Sequence, residues 1–483
     1  MRLTYIFNAL GLVLRCIALV ILIPAAVAIY YKDYYSIIPF VTASMTALTF
    51  SFLWRKKSDT FESLNDIKKT EGLCIVALSW VVFAIIAMIP YLFYKFGIIN
   101  AMFEAVSGIT TTGATILTSF DYPKAVFFWR SFSQWLGGMG IIVLFIAILP
   151  QFAVAGRQMF FAEAPGPTED KITPRIRHTA TALWTLYIAL TIIEIILLKL
   201  AGMPLFDCFC NSFASLAGGG FSPNPQSIMG YHSVPIIWII TIFMFLAGVN
   251  FSLMYRVLIN KKLPLFFKDD EFKTYLGIVL TFSAIIAFLL FKYNTYNPFE
   301  AVTQAAFQVV SIITSTGFAS VDFQQWTLNA KLFLFILMFS GACAGSASGG
   351  LKVIRLVFIF QYVKIQIARI LHPNAVYPVK INKTPLPMDV IQQMLAFIFF
   401  YYAIFAVSAF LITLIENNVV IGTTASITTI GNIGPGFQAI GPMGTFAVLH
   451  PFSKIICIIN MLIGRLELIP FLAMLHPDFW KLK

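Results

Sequence analysis

The sequence has few charged residues and no sign of the polar surface that a soluble domain needs. Charged residues make up 11% of its 483 positions, whereas hydrophobic residues make up 59% and the mean hydropathy is strongly positive. This composition excludes a soluble globular protein, since the charges cluster in short segments between long apolar runs. We therefore expect one integral domain with the lipid bilayer as its solvent.

The short motifs of common enzymes and metal sites are also missing. None of the five histidines has a second histidine or a cysteine at metal-ligand spacing, and H-E-x-x-H, G-x-S-x-G and Walker tracts do not occur. The six cysteines include no C-x-x-C pair. We expect neither an enzyme nor a covalently bound cofactor, and any energy from a nucleotide must come through another polypeptide.

Acidic residues are fewer than basic ones, which gives a formal net charge of +12. Such a charge can indicate a nucleic-acid partner, but the basic residues here lie in loops between apolar runs, so we expect no nucleic acid. The basic loops alternate along the chain with loops of few charges. By the positive-inside rule the basic loops and both termini are cytoplasmic. The basic clusters lie at residues 55–69, 157–177, 256–273 and 380–383.

Ten apolar runs are long enough to cross a bilayer, and residues 1–30 indicate a retained segment, not a removed signal peptide. Residues 351–371 carry four basic residues, and we expect them to continue the preceding helix into the cytoplasm. The predicted spans are 8–30, 36–54, 72–95, 126–150, 180–201, 235–259, 274–292, 328–348, 390–415 and 446–475.

The loops with few charges each contain a short apolar segment followed by a tract rich in Gly, Thr or Ser. Residues 103–113 align without a gap with 307–317, and weaker copies occur at 211–221 and 425–434. One glycine of each copy, here called the key glycine, falls at a spacing of 107, 97 and 117 residues from the one before. The four key glycines are Gly113, Gly220, Gly317 and Gly434.

A near-constant period gives four repeats the same orientation, so their re-entrant tracts converge on one axis. The predicted fold is therefore all-α and membrane-integral, with four units of span, pore helix with filter loop, and span around a central pore. An extra N-terminal helix pair precedes them. The predicted units are the helix pair 1–70; repeat 1, 71–155, with filter 107–115; repeat 2, 175–262, with filter 214–222; repeat 3, 270–371, with filter 311–319; and repeat 4, 386–483, with filter 428–436.

The chemistry of these tracts suits a cation that loses its water shell, because backbone carbonyls can replace water without buried fixed charges. Glycine permits the positive φ that points successive carbonyls to one side, and the short helices direct their negative C-terminal ends at the ion. The alternative is that Gly and Thr mark ordinary turns. The candidate ligands are Thr110, Thr111, Thr112 and Gly113 (tract 1); Ala217, Gly218, Gly219 and Gly220 (tract 2); Thr314, Ser315, Thr316 and Gly317 (tract 3); and Gly431, Asn432, Ile433 and Gly434 (tract 4).

Four further motifs, together with the tracts, give the chain a resemblance over nearly its whole length to a known family. It resembles the Trk/Ktr superfamily of potassium uptake proteins, specifically the membrane subunit of the bacterial Trk system. The extra N-terminal helix pair resembles the Trk form of the family more than the shorter Ktr form. The motifs are residues 135–140, 245–251, 341–350 and 464–467.

The resemblance implies K⁺ as the transported ion, since all four key positions are glycine. It also implies a homodimer in the bacterial inner membrane, with one pore per protomer and a cytosolic ring of nucleotide-binding regulatory subunits. Tract 2 lacks threonine and tract 4 reads Gly-Asn-Ile-Gly, so we expect both to bind ions less tightly or to be more flexible.

The resemblance further implies a gate below the filter, formed by Arg465 and an intramembrane plug at residues 341–350, the gate loop. Its glycines of interest are Gly341, Gly345, Gly349 and Gly350. The alternatives are a pair of Arg465 with Glu467 or a snorkelling arginine, and simple close packing of the small loop residues.

Other acidic and basic residues receive structural expectations. Glu104 is expected near the start of its pore helix as a favourable N-terminal charge, with attraction of cations as the alternative role. Lys352 and Arg355 are expected to be cytoplasmic anchors. Three other functions stay open: a porter coupling K⁺ to H⁺ or Na⁺, a Na⁺-conducting relative, and an intramembrane enzyme.

Overall fold

The part of the chain that the structure describes is mainly α-helical. The computed structural model describes residues 2–56, 69–140, 176–294, 296–372, 374, 377–382, 384–466 and 477. Within these residues there are seventeen α-helices and one short antiparallel strand pair, β1 (Lys380–Ile381) with β2 (Thr384–Pro385). The predicted all-α membrane fold is therefore confirmed.

The helices are α1 (Leu3–Val20), α2 (Ile23–Tyr30), α3 (Ile37–Lys56), α4 (Lys69–Phe93), α5 (Ile98–Ile109), α6 (Lys124–Gly138), α7 (Ile176–Leu200), α8 (Leu205–Ala217), α9 (Val234–Ala247), α10 (Phe251–Asn260), α11 (Asp270–Tyr293), α12 (Pro298–Ile313), α13 (Leu328–Leu337), α14 (Val353–Leu371), α15 (Met388–Glu416), α16 (Val419–Ile430) and α17 (Pro451–Arg465).

Six helical segments of the described chain are long and apolar enough to cross a membrane, and each coincides with a predicted span. Their outward faces are apolar because lipid, not water, surrounds them. The predicted spans 126–150 and 446–475 are described only up to residues 140 and 466. The six segments are Leu3–Tyr30, Tyr34–Trp54, Thr70–Phe93, Ala180–Leu200, Asp270–Tyr293 and Met388–Glu416.

Two predicted spans are wrong as continuous helices. The span 235–259 breaks after Ala247, and α9 and α10 meet at an angle of 97°. The span 328–348 ends as a helix at Leu337, and the irregular gate loop follows. Residues 351–371 do not continue the preceding helix, since α14 begins anew at Val353. Gly248 and the small residues of the gate loop permit these breaks, and the two breaks bond to each other.

The four repeats close into a ring. The second long helix of one repeat packs on the short helix of the next: α6 on α8, α9 on α12, and α17 on α5. Repeats 3 and 4 meet through aromatic side chains, with Phe323 and Phe335 against Phe437 at centroid distances of 5.8 and 6.4 Å. The short helices α5, α8, α12 and α16 thus surround one axis, and each ends at a candidate filter tract.

Candidate functional site

All four tracts have the same unusual backbone. In each, the key glycine and the residue two positions earlier have positive φ. Alternation of left-handed and right-handed residues lets carbonyls separated along the chain face the same side. The pairs are Thr111 (56°) and Gly113 (78°), Gly218 (67°) and Gly220 (74°), Ser315 (54°) and Gly317 (78°), and Asn432 (52°) and Gly434 (101°).

The key glycines lie against their neighbours in a closed cycle. A Cβ at Gly113 would overlap the carbonyl oxygen of Gly219, the residue before the key glycine of tract 2. The same relation holds from Gly220 to Thr316, from Gly317 to Ile433 and from Gly434 to Thr112. Only glycine fits at the four positions, and the carbonyls before the key glycines lie between adjacent tracts.

Tracts 1 and 3 each contain the same pattern of hydroxyl hydrogen bonds. Thr110 donates to the Val106 carbonyl at 2.6 Å and shares a 2.8 Å hydrogen bond with Thr112. Thr314 makes the equivalent bonds to Val310 and Thr316, also at 2.6 and 2.8 Å. These hydroxyls hold each tract to the end of its own short helix.

Ser107 and Ser311, six residues before the key glycines, brace the far side of the same two tracts. Ser107 donates to the Ala114 carbonyl at 2.5 Å, and Ser311 donates to the Phe318 carbonyl at 2.7 Å. Tracts 1 and 3 are therefore each fixed both before and after the key glycine.

Tracts 2 and 4 are held by amide side chains. Gln134 of α6 donates to the Gly219 carbonyl at 2.7 Å and accepts from the Phe221 N–H at 3.1 Å. Asn432 donates to the Thr112 hydroxyl at 2.9 Å and to the Met461 carbonyl at 3.1 Å. Tract 2 thus depends on repeat 1, a link that sequence reasoning missed because Gln134 lies 85 residues from Gly219.

A cavity of about 330 Å³ lies at one end of the ring. All four key glycines line it, together with Arg130, Pro435 and other residues of the segments that leave the tracts. Arg130 brings a positive charge to the edge of this cavity, and its buried partner, Glu104, balances that charge.

Glu104 does not lie at the start of its helix, so the expected N-terminal charge is wrong. It lies in the second half of α5, fully buried, and its Oε1 accepts from Arg130 Nε at 2.8 Å. Its other oxygen accepts from the Ile116 N–H at 2.9 Å, and both oxygens lie within 3.2 Å of the Thr115 hydroxyl. The ion pair therefore fastens the segment leaving tract 1 to the pore helix.

Arg465 lies on the opposite side of the ring from this cavity and contacts the gate loop. Its Nη1 donates to the Ala347 carbonyl at 3.0 Å. Its Nη2 donates to the carbonyls of Gly137 and, at 2.9 Å, Gly138 at the end of α6. The alternative partner, Glu467, lies outside the described residues. Arg465 therefore joins repeats 1, 3 and 4 beneath the tracts.

The gate loop bonds to the break between α9 and α10. Cys343 N–H donates to the Gly248 carbonyl at 3.0 Å, and Phe251 N–H donates to the Gly345 carbonyl at 3.0 Å. The loop also touches tract 3, since Gly349 N–H donates to the Ser315 hydroxyl at 2.6 Å. Positive φ at Gly345 (72°) and Gly350 (70°) gives the loop its irregular path, and Gly341 at its start packs against the Gly349 carbonyl near its end.

Lys352 and Arg355 are buried, so their expected role as cytoplasmic anchors is wrong. Lys352 is 3% exposed, and its Nζ donates to the Ser348 carbonyl and hydroxyl. The Arg355 guanidinium stacks 3.6 Å from the centre of the Phe397 ring. Both side chains hold α14 against its neighbours within the protein.

The spans and the ring of tracts define a membrane transport protein. A family model described as "Cation transport protein" matches residues 40–480, and the chain belongs to this TrkH family. It is 37% identical to the Trk system potassium uptake proteins TrkH of Salmonella typhimurium and of Escherichia coli K12, over 99% of both chains in each case.

A solved structure agrees with this assignment. The crystal structure of the potassium transporter TrkH from Vibrio parahaemolyticus matches with a TM-score of 0.88 and 33% identity. The match covers 99% of this chain and all of that one. The resemblance stated from the sequence is therefore confirmed.

Proposed function

We propose that the protein takes up K⁺ across the bacterial inner membrane through a selective pore. The closed cycle of four key glycines, each of which packs against the tract of the next repeat, is the main support for this proposal. A ring of backbone oxygens at fixed separation can replace the hydration shell of one ion better than that of another. The relatives of this family that are named potassium uptake proteins support K⁺ as that ion.

The proposed filter consists of the four tracts, from Thr110 to Gly113, Ala217 to Gly220, Thr314 to Gly317 and Gly431 to Gly434. The shared backbone alternation supports this assignment. The helix ends at each tract add negative potential from several directions. Tracts 2 and 4 have the same alternation as tracts 1 and 3, and their weaker ion binding stays a prediction.

The proposed gate is the loop Gly341–Gly350 together with Arg465. The contact of Arg465 with Ala347 supports it, because a fixed positive charge beneath the ring opposes the passage of a cation. Replacing Arg465 with Ala removes this charge and the bond to the loop. We expect a higher rate of Rb⁺ uptake from Arg465→Ala, with unchanged preference for K⁺ over Na⁺.

We also propose that both termini are cytoplasmic, that the protein is a homodimer, and that it binds a cytosolic ring of nucleotide-binding subunits. The basic loops support the orientation, and the outer face of α14, with Phe360 and Ile370 exposed, offers apolar surface to a second copy or to lipid. Crosslinking between single cysteines placed on α14 in native membranes tests the dimer.

The uptake of radioactive Rb⁺ into proteoliposomes, driven by a K⁺ gradient alone, tests the function. We expect unlabelled K⁺ to compete and Na⁺ to have little effect. Equal competition by Na⁺ would contradict the proposed ion, and this outcome would favour the Na⁺-conducting relative.

A porter that couples K⁺ to H⁺ is a second candidate, because α7 contains a buried acid. Glu194 is fully buried, and the Ser215 side chain lies beside it. Neither carboxylate oxygen has a hydrogen-bond partner of good geometry among the described residues. Isolated intramembrane acids often carry protons in transporters. An inward pH gradient that drives Rb⁺ uptake without a K⁺ gradient, and loses this effect in Glu194→Gln, would establish coupling.

A further inference from the structure

The gate loop is held from the side opposite to the filter by one carboxylate. Glu271, in the first turn of α11, is 5% exposed. Its Oε1 accepts from the Ala344 N–H at 2.6 Å and from the Ile354 N–H at 3.0 Å. The first donor lies inside the loop and the second lies in the helix that follows it. A single oxygen thus joins two points on either side of Gly345, Gly349 and Gly350.

The second bond fills a gap in the helix that follows. The first N–H groups of a helix lack partners within it, and Lys352, the residue before α14, provides no side-chain cap. Glu271 provides this acceptor from another helix, and its negative charge is favourable at the positive end of α14. The position of α14 relative to the loop therefore depends on Glu271.

The start of α11 is in turn bonded to the strand pair before repeat 4. Asn382 connects β1 to β2, and its N–H donates to Asp270 Oδ2 at 3.0 Å. Its side chain donates to Asp269 Oδ2 at 2.9 Å and accepts from the Asp270 N–H at 2.8 Å. Asn382 is exposed, so this junction joins surface residues directly to the turn that contains Glu271.

We propose that Glu271 and Asn382 are positioning residues for transport, through which the β1–β2 segment holds the gate loop in its closed arrangement. The proposal rests on the proposed role of that loop as the gate. Movement of the β1–β2 segment would shift the start of α11, release Ala344 and Ile354 from Glu271, and free the loop. A cytosolic protein that binds this segment would thereby control the pore.

Uptake of radioactive Rb⁺ by the purified full-length variants in proteoliposomes is the first test. We expect Glu271→Ala to raise the rate about tenfold, since it leaves the N–H groups of Ala344 and Ile354 without their acceptor. Glu271→Gln keeps a carbonyl acceptor and should stay within about twofold of the wild type. Asn382→Ala should give an intermediate increase. Glu300→Gln, an exposed acid in the first turn of α12, is the matched control and should change nothing.

Cys343 provides a second readout that does not depend on ion flux. It is 1% exposed and is next to Ala344, whereas Cys457 in α17 is fully buried and lies beside Thr429. Modification by a small thiol reagent, followed at each cysteine by peptide mass spectrometry, compares the two in one sample. Glu271→Ala and Asn382→Ala should speed modification of Cys343 relative to Cys457, and Glu271→Gln should restore the slow rate.

The outcomes separate this proposal from the proposed function. Unchanged Cys343 modification and unchanged uptake in Glu271→Ala, beside faster uptake in Arg465→Ala, would overturn the role of Glu271 and leave the gate intact. Equal competition by Na⁺ in the wild type would overturn the K⁺ pore, while the modification rates would still decide what Glu271 does. If Glu271→Ala does not fold, Asn382→Ala alone decides, and slow modification in that variant contradicts the proposal.

Discussion

Tracts 1 and 3 have nearly the same sequence and the same hydroxyl bonds, yet their surroundings differ on two sides. Behind tract 1 lies the buried ion pair of Glu104 and Arg130. At the corresponding place behind tract 3, a neutral pair takes the place of the ion pair, and Gln308 donates to the Ser320 hydroxyl at 3.4 Å. The backbone of the two tracts is the same despite this difference, so glycine and the shared hydroxyls determine it.

The two tracts also differ on the side of the gate loop. Ser315 accepts a hydrogen bond from Gly349 of the loop. Thr111, at the same place in tract 1, has a buried hydroxyl without a partner among the described residues. Tract 3 is therefore connected to the proposed gate, whereas Thr111 of tract 1 makes no such bond among the described residues. The two repeats thus have the same tract backbone but differ in what their tracts contact.

Loss of one partner of the ion pair should have the largest effect. Arg130→Gln leaves Glu104 as a buried, unbalanced charge, which typically destabilises a protein by about 3–5 kcal/mol. We expect a marked loss of thermal stability in detergent, and recovery of much of it in the double variant Glu104→Gln with Arg130→Gln. Gln308→Ala is the comparison in repeat 3 and should cost less. Equal losses of stability in Arg130→Gln and Gln308→Ala would contradict a special role for the ion pair in repeat 1.

Substitution of a key glycine should come next. In Gly113→Ser the new Cβ overlaps the Gly219 carbonyl, and the backbone at position 113 has a positive φ that serine rarely adopts. Such strain costs about 1–3 kcal/mol. We expect the preference for K⁺ over Na⁺ in Rb⁺ competition to fall by about 5–150-fold, the range that corresponds to this energy.

Gly97→Ser is the control for that variant, because its Cβ would meet nothing within 4 Å and its φ is −61°. It should transport like the wild type. A Gly113→Ser protein that also keeps its full selectivity would remove tract 1 from the filter.

Ser315→Ala tests the link between tract 3 and the gate loop. The change leaves the buried Gly349 N–H without its acceptor, at a cost of about 1–3 kcal/mol. We expect the loop to loosen and Rb⁺ uptake to rise several-fold, with little change in ion preference. Uptake at the wild-type rate would show that this hydrogen bond does not restrain the loop.

Thr111→Ala should have the smallest effect, and it is the matched change in tract 1. The lost hydroxyl has no hydrogen-bond partner among the described residues, so stability should change by about 0.5 kcal/mol or less. Rb⁺ uptake should also stay near the wild-type rate. A strong loss of uptake would instead mean that the Thr111 hydroxyl itself binds the ion.

The fold and the place of the tracts could be predicted because they depend on local and periodic features. Apolar length predicts spans, and a glycine repeated at a near-constant interval predicts four equivalent units. The break at Gly248 was missed, since residues 235–259 are apolar enough to span. The break after Leu337 begins a few residues before the expected plug at 341–350. Bonds between the gate loop and residues 247–251, distant in the chain, stabilise these breaks.

The supporting residues could not be predicted for a similar reason. Glu104 and Arg130 are 26 residues apart, and Glu271 lies 73 residues from Ala344 and 83 from Ile354. No periodic pattern joins such pairs, because the ring packing alone brings them together. An acid in a first helical turn also looks like an ordinary N-terminal charge, so no sequence pattern distinguishes Glu271.

The closed cycle of key glycines belongs to one polypeptide. In a pore assembled from four identical chains, every substitution occurs four times, and a change that one side could tolerate is imposed on all sides. Here each side is encoded separately, so a mutation alters a quarter of the ring and leaves three quarters unchanged. Natural selection can therefore adjust ion preference and gating in small, independent increments, and the asparagine in tract 4 and the threonine-free tract 2 are results that such a history allows.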